Sequence, residues 1–196
     1  MFTGIINHIG LFKGYRQAKQ EIAVEAPSLS SQLDIGESVA VNGVCLSLIK
    51  KEKHMLFFNL SQETLQKTNL AHLRHGDKLN LEPPLTLSSL LSGHLVTGHV
   101  DSKGKVLKIL DKKPGKRITV SLTPELERYF IPKGSVAING VSLTISYLFS
   151  SFFEIELIPI TLRNSNLGEL KRGDEVNIEC DIVGKYVYNL ISRGKK

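Results

Sequence analysis

The chain is poor in the residues that mark several protein classes. It has no Trp, two Cys, two Met and seven Pro among 196 residues. Two cysteines, Cys45 and Cys180, do not make a disulfide-stapled scaffold, so both are expected as reduced thiols in a cytoplasm. Apolar runs such as Val136–Ile138 or Tyr147–Phe149 fall far short of the ~20 residues a membrane-spanning helix needs. The opening MFTGIINHIG has no basic stretch, no long apolar stretch and no small-residue cleavage site, so no secretory leader is expected. Eight Phe and five Tyr, without basic–aromatic interleaving, argue against a barrel that grips single-stranded nucleic acid.

What is present suits a globular chain. Hydrophobic residues make up 41% and charged residues 22%, which excludes disorder and collagen-like repeats. The length allows one ordinary domain or two small ones of roughly 100 residues each. The net charge of +6 is scattered, with short clusters at Lys103–Lys108, Lys112–Arg117 and Arg193–Lys196. It reads as solvated surface and a frayed end rather than a polyanion site, so neither nucleic acid nor membrane is an expected partner.

An internal duplication organises the sequence. Ser38–Leu48 aligns with Ser135–Ile145 at an offset of 97, with seven of eleven pairs identical. The same offset carries Phe58–Glu82 onto Ile155–Glu179 with ten of 25 identical, where unrelated segments share roughly one pair in fifteen. Thr3-Gly4 is echoed by Thr97-Gly98 at an offset of 94, which puts the boundary near residues 94–95. Period-two alternation predicts strands at Glu21–Glu25, Val39–Val41, Val44–Leu48, His54–Leu60, Lys78–Glu82, Arg117–Ser121, Phe153–Leu157 and Glu175–Glu179. Asn42-Gly43 accepts the positive φ of a hairpin turn. Turn residues every 8–15 positions point to small closed antiparallel barrels. Short helices are predicted at Thr86–Leu91 and Thr123–Tyr129, the second capped by Thr123, and a longer one from Ile182 to Ser192 with an apolar stripe.

Two places can carry chemistry. Alternation turns Val44, Leu46 and Leu48 to one face and Cys45 and Ser47 to the other; Ser142 and Thr144 repeat the pattern in the second copy. Small polar groups there leave room for a ligand and offer hydrogen bonds. In Gly93-His94-Leu95-Val96-Thr97-Gly98-His99, two imidazoles offer acid–base groups near neutral pH, without the spacing of a metal site. Glu63-Thr64-Leu65, Ile160-Thr161-Leu162, Asn80-Leu81-Glu82 and Asn177-Ile178-Glu179 fit turn and edge chemistry.

Taken together, Met1-Phe2-Thr3-Gly4-Ile5-Ile6, Asn42-Gly43-Val44-Cys45-Leu46, Glu63-Thr64-Leu65 with Thr68-Asn69-Leu70, the His94–His99 segment, Asn139–Thr144 and Asn177-Ile178-Glu179-Cys180-Asp181 resemble the riboflavin synthases of the alpha-chain type, over nearly the whole chain. The resemblance implies an all-β fold with short helices: two tandem six-stranded antiparallel Greek-key barrels. Residues 1–94 would form an N-terminal lumazine-binding barrel, 95–181 a C-terminal one, and 182–196 a helix and tail in a trimer contact. It implies conversion of two 6,7-dimethyl-8-ribityllumazine molecules to riboflavin and a ribitylamino-pyrimidinedione by moving a four-carbon unit, with no cofactor and no metal. A homotrimer follows, with lumazine synthase a candidate partner.

Carried over residue by residue, Cys45, Ser38 and Ser47 would line the first site, and Ser142 and Thr144 the second. His99 with His94 would move a proton from the acidic ring methyl group. Asp181 would orient or accept a proton, and Lys133 would hold a carbonyl or ribityl oxygen. Ligand contacts are implied at Leu46 and at Asn59, Leu60, Ser61, Gln62, Glu63 and Thr64, and in the second copy at Leu143 and at Ile158, Pro159, Ile160, Thr161, Leu162 and Arg163. Gly4, Ile5 and Gly98 would bring backbone amides close, with Ile6 and Val100 alongside, and Phe2 would pack on the bound rings. Ile160 stands where the family commonly has Glu, which makes the two sites chemically unequal. A non-enzymatic relative, the lumazine antenna protein of luminous bacteria, shares the fold and ligand; Cys45, both histidines, Ser142, Thr144 and Asp181 favour the enzyme.

Overall fold

The alternating segments become strands whose inward residues fill two separate cores. In the computed structural model, which describes residues 1–193, the first copy contributes β1 (His8–Arg16), β2 (Glu21–Glu25), α1 (Pro27–Ser30), β3 (Ser38–Val41), β4 (Val44–Glu52), β5 (Met55–Asn59), α2 (Gln62–Lys67) and β6 (Lys78–Glu82). The second contributes β7 (Ser102–Lys112), β8 (Gly115–Ser121), α3 (Pro124–Glu127), β9 (Ser135–Ile138), β10 (Val141–Leu148), β11 (Phe152–Leu157), α4 (Pro159–Asn164) and β12 (Glu175–Cys180), followed by α5 (Ile182–Arg193). Residues 194–196, the end of the expected trimer-contact tail and of its basic cluster, lie outside the described residues.

Both sheets close into antiparallel barrels, β1-β2-β5-β4-β3-β6 and, in the same cyclic order, β7-β8-β11-β10-β9-β12. Closure removes the unpaired edges of an open sheet. Val39, Val41, Leu46, Leu48, Phe58 and Leu79 fill the first barrel; Val136, Ile138, Leu143, Ile145, Ile155 and Val176 fill the second. Each large apolar side chain so buried stabilises the fold by about 1.5–3 kcal/mol. The Asn-Gly hairpins form as expected, with φ of 48° and 75° at Asn42 and Gly43 and 46° and 79° at Asn139 and Gly140.

Two expectations need correction, and two strands went unpredicted for a physical reason. Thr86–Leu91 is not a helix. Thr86 N donates to Ser89 Oγ, and Leu87 and Leu90 lie in solvent, so local side-chain bonds win over a helix with no face to bury. Thr123 sits at the N-cap position of α3, but its side chain accepts no capping bond and the helix ends at Glu127. β1 and β7 escaped the alternation rule because each carries a bulge, between Phe12 and Gly14 and between Val106 and Lys108, that shifts the phase of its side chains.

The barrels join about a pseudo-twofold axis through amide groups. The two Asn-Gly turns meet back to back: a Cβ on Gly43 would lie 2.5 Å from Gly140 N. Asn80 Nδ2 donates to the Asn139 carbonyl at 2.9 Å, and its repeat mate Asn177 donates to the Asn42 carbonyl at 2.8 Å. Asn69 N donates to Asn177 Oδ1 and Asn166 N to Asn80 Oδ1, each at 2.7 Å. These bonds satisfy backbone groups that the interface would otherwise bury unpaired.

Candidate functional site

On β4 and β10 the inward residues are buried, while Cys45 and Ser142 are half-buried and Ser47 and Thr144 exposed. Directly opposite Cys45 and Ser142 stand Ala40 and Ala137. These small side chains let another backbone lie close, and the segment preceding each barrel does so. Gly98 of the second copy accepts a hydrogen bond from Cys45 N at 2.9 Å; Gly4 of the first accepts one from Ser142 N at 2.8 Å. Each leader therefore crosses to the other copy's barrel.

Glycine is required at both crossings. Gly4 and Gly98 have φ of +77° and +80°, and a Cβ would lie 2.6 Å from Ser142 Cβ or 2.5 Å from Cys45 Cβ. Two residues on, Ile6 packs into the second core and Val100 against the first, so the exchange is apolar as well as hydrogen-bonded. Between the leaders Phe2 and Val96 exchange backbone hydrogen bonds at 2.7 and 3.1 Å. Phe2, expected against a bound ring, is wholly buried with Val96, Ala40 and Ala137; its ring belongs to the barrel interface.

The crossing gathers two unlike groups of side chains. Cys45 has Gly98 against it and the exposed His99 next in chain. Ser142 has Gly4 against it, and its Oγ lies 2.7 Å from Nδ1 of buried His94. Burial lowers the His94 pKa below its ordinary 6.5, against the opposing pull of Asp181 and Glu179. Burial therefore favours the neutral ring at pH 7; its Nδ1 faces Ser142, and its Nε2 is buried without a hydrogen-bond partner among the described residues. Asp181 stands near His94 while its Oδ1 accepts from Val183 N at 2.9 Å, capping α5. Burial beside Asp101 pushes the Cys180 thiol up, which leaves it inert.

A cleft of about 560 Å³ opens beside Cys45. Leu46, Ser47, Asn59, Leu60, Ser61 and Thr64 line it, as do Gln17, Gln20 and Ile49, which the sequence did not point to. The glutamines come from a turn with positive φ at Gln17, Ala18 and Lys19, a conformation alternation cannot announce. Ser61 caps α2 by accepting from Thr64 N at 3.0 Å, which places Gln62 and Glu63 on the exposed first turn; Glu63 pairs with Lys67 at 2.8 Å. In the second copy Ile158 leads into α4, which carries Pro159, Ile160, Thr161, Leu162 and Arg163, with Ile158 and Ile160 exposed. Ser38 pairs across β3–β4 with Ser47. Lys133 stands apart in a left-handed turn, its Nζ donating to the Ser146 carbonyl at 3.4 Å and lying over the Tyr147 ring. Leu143 points into its core. Among the described residues no helix is long and apolar enough to cross a membrane.

The lumazine binding domain family matches residues 3–83 and 97–181, one match per barrel. Riboflavin synthase of Bacillus subtilis (strain 168) is 33% identical over all of this chain and 92% of its own length. That of Mycobacterium tuberculosis (strain ATCC 25618 / H37Rv) is 36% identical over 97% of this chain and 98% of the relative. Among solved structures, LumP complexed with 6,7-dimethyl-8-(1'-D-ribityl) lumazine superposes with a TM-score of 0.81 at 22% identity, covering 91% of this chain and 98% of that one. LumP complexed with riboflavin gives 0.84 at 23% identity, over 92% and 99%. At that identity the structural likeness speaks for the fold.

Proposed function

The chain belongs to the riboflavin synthase family, whose two lumazine-binding repeats it carries, and we propose that it converts two molecules of 6,7-dimethyl-8-ribityllumazine to riboflavin and 5-amino-6-(D-ribitylamino)uracil, the last step of riboflavin biosynthesis. The observation that supports this best is the reciprocal crossing, which builds two related but chemically unlike sites: Cys45 with Gly98 and His99, and Ser142 with Gly4 and His94. One compound serves as both donor and acceptor of four carbons, so twin sites with different side chains suit the reaction.

The protein's task is to hold two rings in contact and to move protons. Orientation supplies up to about 7–11 kcal/mol of barrier lowering, and one positioned acid or base roughly 10²–10⁴-fold. In this reading His94, with Ser142, and His99 handle the ring-methyl proton. Cys45, or a hydroxyl of Ser38, Ser47 or Thr144, assists attack on the electron-poor ring. Asp181 orients the second site, and Lys133 reaches a ligand oxygen by swinging from Ser146.

Of the two units, residues 1–94 and 95–181, one holds the donor and the other the acceptor. The helix and tail, 182–196, join three chains so that barrels of neighbouring subunits face each other. Val183, Tyr186, Val187, Leu190 and Ile191 of α5 expose the apolar surface this contact needs. The protein works in the cytoplasm, with lumazine synthase as its proposed partner. The test is to mix purified protein with the lumazine alone and follow riboflavin absorbance. Formation without any added cofactor is expected; tight binding with no riboflavin formed identifies a ligand carrier instead.

A further inference from the structure

The repeated Asn-x-Glu segments, read from sequence as edge chemistry, place two carboxylates at the crossing. Glu82 and Glu179 project from β6 and β12 into the barrel interface, 5% and 3% exposed. Among the described residues neither forms an ion pair. Glu82 Oε1 instead accepts from Thr3 N at 2.7 Å and Thr3 Oγ1 at 2.8 Å, and Oε2 from Gly4 N at 3.0 Å. Glu179 takes the same three donors from Thr97 and Gly98, at 2.6, 2.7 and 3.0 Å. Each threonine hydroxyl also accepts from the amide two residues on, Ile5 N at 3.1 Å and His99 N at 3.2 Å.

A buried carboxylate with no cation is costly unless its lone pairs are filled. Three donors converging on two oxygens need a carboxylate, because a glutamine amide offers one acceptor and two donors. The chain keeps this arrangement identical in both copies, while the groups it carries differ: His99 against Ile5, and Cys45 against Ser142. The clamp is common to both sites, and the chemistry is not.

We infer that Glu82 and Glu179 are positioning residues, each fixing its own copy's Thr-Gly turn against the reacting strand of the other barrel. Glu179 acts through Thr97 on the amide of His99 and through Gly98 on Cys45; Glu82 acts through Gly4 on Ser142. The role rests on the reaction proposed above.

Glu179→Gln puts an amide donor against the Gly98 N–H, and Glu82→Gln does the same at Gly4, so each variant controls for the other. Hydrogen exchange followed by mass spectrometry is expected to speed up about tenfold or more at residues 97–99 in Glu179→Gln with 3–5 unchanged, and the reverse in Glu82→Gln. Misplacing a site by about 1 Å costs on the order of 100-fold in rate, so kcat on the lumazine falls toward that extent while KM moves little. Should Glu179→Gln fold poorly, Thr97→Val tests the same relay, and Thr97→Ser, which keeps the hydroxyl, restores kcat. Unchanged exchange at the clamped segment, or faster exchange with undiminished kcat, overturns the inference. Wild-type protein that binds the lumazine without converting it overturns the proposed reaction instead, and exchange alone then decides whether the clamp holds.

Discussion

His94 shows how one buried ring sets the response to acid. Its pKa is lowered from 6.5 by burial, so the folded protein resists charging it while the unfolded chain does not. A lowered folded value contributes stability that is present above pH 6.5 and lost as pH falls through the folded pKa. His94→Gln is therefore expected to flatten the decline in melting temperature between pH 7.5 and about 5; a decline as steep as wild type removes His94 from that role. Burial raises the Glu82 carboxyl above its ordinary 4.5, against the three donors of Thr3 and Gly4 that favour its ionised form. Cys45 carries the other residue-scale prediction. Removing its half-buried thiol, Cys45→Ala, is expected to lower turnover about 10–100-fold while titration of ligand fluorescence still shows binding. Unchanged turnover excludes the thiol from the reaction.

Elements set the tolerances around these side chains. At Gly98 the left-handed backbone and the approach to Cys45 act together, whereas at Gly76 φ is +91° with nothing within 4 Å of a Cβ. Gly98→Ala is expected to cost about 2–4 kcal/mol, from strain plus overpacking, and Gly76→Ala about 1–2 kcal/mol. Urea denaturation of the two variants measures the difference; equal costs would mean the leader yields freely. The elements also show what a sequence can announce. β2, β3 and β6 follow from residues that alternate without interruption, and the hairpin turns from Asn-Gly, because both signals are local. Thr86–Leu91 misled because a helical composition decides little when no core receives the helix. Cys45, Ser142 and the histidines stood out as residue types, yet their grouping depends on contacts spanning many residues, such as His94 with Ser142. The Thr-Gly echo was visible as a repeat, while its destination on the opposite barrel was not, since no local pattern encodes which surface a leader crosses to.

On the scale of the whole molecule, α5 leans on the second barrel through Lys185, which pairs with Asp101 at 2.7 Å, and through Tyr188 against Tyr129. Its other side presents Tyr186 and Leu190, 65% and 73% exposed. Apolar surface of that kind is expected to be covered by other chains. Wild type should sediment as three chains and Leu190→Asp as fewer; wild-type protein that sediments as one chain would mean α5 is no assembly surface. The exchanged leaders also bear on ancestry. A progenitor with a single barrel has no second barrel in its own chain to receive its leader, so it reaches this arrangement only as a swapped pair, subject to dilution. Tandem fusion makes the pairing permanent at an effective concentration in the millimolar range. It also releases the halves from being identical, so that one could become thiol-bearing and the other serine-bearing without either losing its mate.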